Sequence, residues 1–125
     1  MQNLKLTLLF LFFSAPFFLT AQDYLGSWNM AGVAPDGTKV TNTVTMNADG
    51  TMTVDFGSDG TIEVRSTYSV SDGVVSMTDS SKESPCHGMT GKYRLAVSGN
   101  TMTAKLIEDP CDARRSDQIV MQRKQ

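Results

Sequence analysis

The chain holds one histidine, His87, and two cysteines, Cys86 and Cys111. Cys86 and His87 are adjacent in the stretch Ser84-Pro85-Cys86-His87. These residue types serve three chemistries: a metal site, an activated nucleophile or a disulfide. A structural zinc site needs four ligands. Cys86, His87 and Cys111 supply three, with Asp109 or Asp112 as a strained fourth, and neighbouring side chains in an extended chain point to opposite sides. A Cys-His nucleophile needs a third group to orient the base, and the sequence indicates none. No Gly-x-Ser-x-Gly elbow, phosphate loop or second histidine occurs. Asp49, Asp59 and Asp72 read as turn residues, and Asp55 and Glu63 read as outward-facing carboxylates on solvated strand faces. No catalytic residue, metal or cofactor is therefore expected, and His87 is expected in an exposed loop.

The choice between thiol and disulfide depends on the compartment. Residues 1–21 begin with Lys5, continue through an apolar run from Leu6 to Phe13, and end in the small residues Thr20-Ala21. That order is the pattern of a secretory signal peptide. Ser14 and Pro16 break the run before it reaches the roughly 20 apolar residues a membrane span requires. Cleavage is expected after Ala21, with Gln22 as the alternative end. The remaining stretch, 22–125, then forms one domain, secreted or periplasmic, with no membrane span. It carries 10 Lys or Arg against 13 Asp or Glu, since only Lys5 falls in the leader, a net charge of −3. A mildly acidic chain whose basic pairs are only Arg114-Arg115 and Arg123-Lys124 is a poor partner for nucleic acid or anionic membranes. Arg114-Arg115 is expected to be a solvated loop.

The elements that position these residues are strands. Turn signals such as Ala48-Asp49-Gly50, Ser58-Asp59-Gly60, Ser71-Asp72-Gly73 and Ser98-Gly99-Asn100 separate short alternating runs. Asp-Gly between such runs marks hairpins, because type I′ turns need positive φ at both central residues. Eight strands are expected, at 25–30, 40–47, 51–56, 61–70, 74–79, 91–98, 101–107 and 117–123. Nearly all have one apolar face; 74–79 is ambiguous in phase. No segment has a convincing helical period. Eight one-face-apolar antiparallel strands pack as two sheets or close into a barrel, and closure removes the exposed edges. The expected fold is all-β, a small eight-stranded antiparallel up-and-down β-barrel, with a β-sandwich as the alternative.

Leu25-Gly26-Ser27-Trp28 places Gly-x-Trp on the first strand, and Arg123 ends the eighth. This arrangement resembles the lipocalins and their relatives, the calycins. The later pattern of a cysteine, Gly91-x-Tyr93, Asp109-Pro110-Cys111 and Arg114 looks like the lipocalin-like domains of small secreted bacterial proteins. The resemblance implies that Trp28 closes one end of a barrel with Arg123 lying across its indole and Gly26 beside it. It also implies an interior that takes a small apolar ligand. The Thr-Asp-Tyr motif of the middle strands is absent.

Both cysteines flank one hairpin, Cys86 before the 91–98 strand and Cys111 after the 101–107 strand. In an exported chain two such residues form one disulfide. The chain-entropy relation gives about 3.5 kcal/mol for a loop of that length. Two functions fit a barrel with no catalytic constellation. In the first, it binds a small apolar ligand lined by the inward set Met46, Val54, Phe56, Val64, Tyr68, Tyr93, Leu95, Met102 and Leu106, with the two tyrosine hydroxyls orienting the ligand. In the second, it is a protein-binding barrel; in size and inferred build the chain resembles small bacterial protease inhibitors with one disulfide. A structural envelope protein is a third possibility. The protein is expected to be a monomer. An open apolar interior favours the first function. A filled core beneath an ordered, exposed apolar loop favours the second.

Overall fold

The structure, a computed structural model, describes residues 19–125. The leader assigned to 1–21 therefore lies outside the described residues except for its last three. Eight strands follow in order: β1 (Gly26–Val33), β2 (Lys39–Met46), β3 (Thr51–Asp55), β4 (Val64–Ser71), β5 (Val74–Asp79), β6 (Thr90–Ser98), β7 (Thr101–Glu108) and β8 (Gln118–Arg123). Each pairs antiparallel with the next, and β8 returns to β1, closing the barrel. A four-residue helix, α1 (Ala21–Tyr24), precedes β1, and a single 3-10 turn covers Phe56–Ser58. No helix among the described residues is long and apolar enough to cross a membrane.

The turns follow from local chemistry. Asp72 and Gly73 both have positive φ, 51° and 74°, which is the type I′ geometry expected of Asp-Gly between Ser71 and Val74. At 47–50 the Asp49 carboxylate accepts from the backbone and hydroxyl of Thr51. The third expected turn is different. The 58–60 segment is not a tight hairpin, because Phe56–Ser58 coils and β4 begins at Val64 rather than Thr61.

Alternation then builds the core. Trp28, Val44, Met46, Met52, Val75, Tyr93, Leu95, Met102, Ala104 and Met121 are buried and form one apolar cluster, with Met30, Val54, Tyr68, Met77, Leu106 and Ile119 packed against it. Fully burying a side chain of this size stabilises by about 1.5–3 kcal/mol, and the flexible methionines fill the irregular gaps. The ambiguous phase of β5 resolves with Val75 and Asp79 inward and buried. Thr43 points outward yet is buried, because Ser58 folds over β2 and bonds its hydroxyl at 2.7 Å, and Lys124 approaches from the other side.

Candidate functional site

The two ends of the barrel are built differently. At one end, the start of β1 meets the end of β8, with Trp28 opposite Arg123 in the register. Trp28 is 0 % exposed, and the Arg123 guanidinium lies 4.2 Å from its ring centroid. The same guanidinium donates to the carbonyls of Leu25 and Asp23 at 3.0 and 2.7 Å, while the indole N–H donates to the Tyr24 carbonyl. Arginine and tryptophan together hold α1 across the barrel end. Gly26 adopts φ +109°, and an added Cβ would sit 3.5 Å from the Arg123 Nη1; the glycine lets the chain turn beneath that guanidinium. This is the closure the sequence led us to expect.

The opposite end carries the connections 34–38, 56–63, 80–89 and 109–117. Cys86 and Cys111 are bonded across two of them, and His87 is exposed. Beneath the disulfide lies a charged network. Arg114 Nε donates to Asp109 Oδ2 at 2.7 Å, Nη2 donates to Asp109 Oδ1 at 2.9 Å, and Nη1 donates to Asp79 Oδ1 at 3.0 Å. The Tyr93 hydroxyl donates to Asp109 Oδ2. Ser66 and Ser84 donate to the two oxygens of Asp79. The Cys111 amide bonds Asp109, and the Cys86 amide bonds Ser84, so each half of the disulfide hangs on one of the two carboxylates that Arg114 joins. Gly91 makes room for this: a Cβ there would lie 2.7 Å from Asp109 Oδ2 and 2.9 Å from Arg114 Nη2. Arg114 is thus no solvated loop residue. Its partner Asp109 lies on the same connection, but Asp79 comes from β5, 35 residues away, which no local reading of Arg114-Arg115 could supply.

The environment shifts the titration of these groups. Burial works to raise the Asp109 carboxyl, but the donors from Arg114, Cys111 and Tyr93 outweigh it and bring its pKa down to about 2. Burial, together with the hydrogen bond to Asp109, pushes the Tyr93 hydroxyl up to about 12. Hydrogen bonds to Asp109 raise Arg114 against the opposing effect of burial. All buried side-chain polar atoms among the described residues are satisfied. The network is a closed structural unit.

The connection 56–63 is ordered by its own carboxylates. Asp55, expected on a wet strand face, is buried and accepts the N–H groups of Asp59 and Gly60 at 3.0 and 2.8 Å. Burial works to raise its carboxyl, but these amides hold it below the usual value. Glu63 accepts the Phe56 N–H, Asn42 accepts the Gly57 N–H, and Ser58 donates to the Thr41 carbonyl. Oxygens of Asp55, Asp59 and Glu63 lie within 4.8 Å of one another, a spacing open to a cation, but the hydrogen bonds of Asp55 and Glu63 to loop amides explain their convergence.

The expected ligand-lining set is divided by the structure. Met46, Tyr93, Leu95 and Met102 are buried in the core, and Val54, Tyr68 and Leu106 are half-buried against it. Val64 is half-buried at the start of β4. Phe56 does not face inward; it is 48 % exposed, because the strand ends at Asp55 and Gly57 turns the chain with φ +78°. Of the nine, Tyr68 borders a concavity of about 200 Å³ at the α1 end, shared with Tyr24, Leu25, Ala48, Gly50, Ser69 and Val70. A second concavity of about 440 Å³ lies at the disulfide end beside Thr90, Glu108, Asp109 and Pro110.

The disulfide end also gathers five of the six exposed large apolar side chains of the described residues. Val33, Phe56, Ile62, Met89 and Ile107 lie there, on or beside its connections, while Val120 lies on the wall of the barrel in β8. Sequence reasoning missed this surface because each residue is unremarkable alone. Fold and ends together define a closed eight-stranded up-and-down barrel with one disulfide-pinned face. Comparison with protein-family models, curated proteins and solved structures finds no match.

Proposed function

We infer that this chain is an exported, lipocalin-like barrel that works as a monomeric, non-enzymatic protein-binding module, with the disulfide end as its binding face. One observation carries the reading: five large apolar side chains are exposed on the ordered connections at that end while the core cluster is buried. Apolar anchors on a preorganised surface give affinity because little entropy is lost on docking. Export is supported by the disulfide and by the signal-peptide pattern, and the Trp28–Arg123 contact supports the calycin resemblance. A secreted protease is the type of partner suggested by the build.

The test is a photo-crosslinking residue placed at Phe56 and, separately, at Ser98, the exposed end of β6 at the opposite rim, in protein exposed to the secreted fraction of its source. A discrete protein adduct from position 56 and none from position 98 is expected. Equal labelling at both positions, or none, would sink the reading.

A second reading, a small apolar ligand, rests on the Tyr24–Tyr68 concavity at the α1 end. Its volume of about 200 Å³ exceeds the roughly 150 Å³ that accommodates benzene and falls below the usual lower limit of about 300 Å³ for ligand pockets. Native mass spectrometry of protein purified from its source would detect a retained small molecule.

A further inference from the structure

The charges of the barrel are sorted by end. The connections 34–38, 56–63, 80–89 and 109–117 carry seven acidic and three basic residues. The bordering strand ends add Asp55, Asp79 and Glu108 against Lys39. The rest of 22–125 holds three acidic and six basic residues, one of which, Lys92, reaches back to Glu108 at the acidic end. Within that end, Arg114 pairs with both Asp79 and Asp109, which leaves one negative charge over, and Arg115 pairs with Asp112. Asp36, Asp55, Asp59, Glu63, Glu83 and Asp117 have no ion-pair partner among the described residues. The same end exposes Val33, Phe56, Ile62, Met89 and Ile107.

We propose that the partner of the disulfide end is a cationic protein segment: apolar anchors flanked by Lys or Arg. The proposal rests on the protein-binding reading and adds the partner's chemistry. Unpaired like charges on one face repel each other, and a basic partner relieves that repulsion as it docks. The same field accelerates encounter with basic surfaces and disfavours acidic ones. It also repels nucleic acid and anionic lipid. Phe56 and Ile62 sit on the connection that carries Asp59 and Glu63. A partner's basic side chain can therefore meet a carboxylate while its aliphatic stem covers an apolar neighbour.

A phage-displayed random dodecapeptide library, selected on the intact disulfide-bonded protein, tests this. The selected peptides should combine Leu, Phe or Trp with an excess of Lys and Arg. Their Kd should weaken roughly tenfold between low and high salt, and by a similar factor in D59N/E63Q/E83Q/D117N, whose amide oxygens still accept loop hydrogen bonds. Peptides lost on Phe56→Ser or Ile107→Ser but neutral, or indifferent to salt and to the amide variant, would overturn the cationic partner and leave the protein-binding face standing. Peptides bound equally by the Ser variants, or no enrichment at all, would overturn both.

Discussion

Two arginines close this barrel, and they differ in what their removal leaves behind. Arg123 lies over Trp28 and bonds two carbonyls at a partly solvated end. Its loss forfeits a cation–π contact of about 0.5–2 kcal/mol. Arg114 joins Asp79 and Asp109, both buried, and removing one partner of a buried ion pair costs about 3–5 kcal/mol because a charge is left uncompensated. Arg114→Ala should therefore destabilise more than Arg123→Ala in urea unfolding. Equal midpoints for the two variants would mean that the network is solvated in solution. The same groups set the pH limits of stability. Asp109 falls from 3.8 to about 2 on folding, so the unfolded chain takes up its proton first as pH drops. Its contribution is complete above pH 4 and is lost as pH falls from 4 through 2, about 2 kcal/mol by linkage. Tyr93 rises from 10.0 to about 12, so the unfolded chain loses its proton first, and stability declines as pH rises from 10 through 12. Chemical denaturation across both ranges checks the two slopes, and Tyr93→Phe should abolish the tyrosine's part of the alkaline one.

At the scale of elements, the connection 56–63 is the clearest case of loop structure dictated by side chains. Asp55 accepts two of its amides, and Glu63 a third. Leaving such donors unpaired costs about 1–3 kcal/mol. Asp55→Ala should loosen the segment more than it weakens the barrel, since the strands on either side keep their register. Limited proteolysis reports this directly: chymotrypsin should cut after Phe56 in the variant far faster than in the wild type. Unchanged resistance would show that the segment is ordered by other means. On the protein-binding reading, a loosened loop should also dock less tightly, because the ordering entropy is then lost on docking.

For the molecule as a whole, the question is whether the barrel is a container or a solid support. Ala104 is 3 % exposed and faces Leu95 and Ile119 across the register. In a packed interior, Ala104→Phe forces its neighbours from their rotamers and costs about 1–3 kcal/mol. In a hollow one it fills space at little cost. We expect the loss, measured by thermal or urea unfolding. A variant as stable as the wild type would indicate free volume at the centre and favour the small-ligand reading. The sorting of charge and exposed apolar surface to one end is likewise a property of the whole molecule. It arises because the up-and-down path brings every second connection to the same rim.

Period-two alternation, Asp-Gly turns and an even pair of cysteines were enough to read the eight-stranded antiparallel barrel, the strand bounds to within a few residues and the Cys86–Cys111 bond. These features are local or nearly so: a strand's buried face is written in its own residues, and a hairpin turn in two. The Trp28–Arg123 contact was legible only through the resemblance of Gly26-Ser27-Trp28 and Arg123 to the calycins, not from alternation or turn chemistry. Phe56 was misread because alternation holds only while the strand continues, and the hydrogen bonds of Asp55 and the positive φ of Gly57 end it. Asp79 was read only as the end of the 74–79 strand, and Asp109 and Arg114 as loop residues. Only the pairing of β4, β5, β6 and β7 side by side brings their ends and the 109–117 connection to one point, where Ser66, Asp79, Gly91 and Arg114 meet. The sequence by itself determined which residues are buried along most strands and how the chain turns. The tertiary structure decided that Arg114 joins Asp79 and that Lys92 meets Glu108, and which apolar side chains share an end, because those relations join residues that lie far apart along the chain.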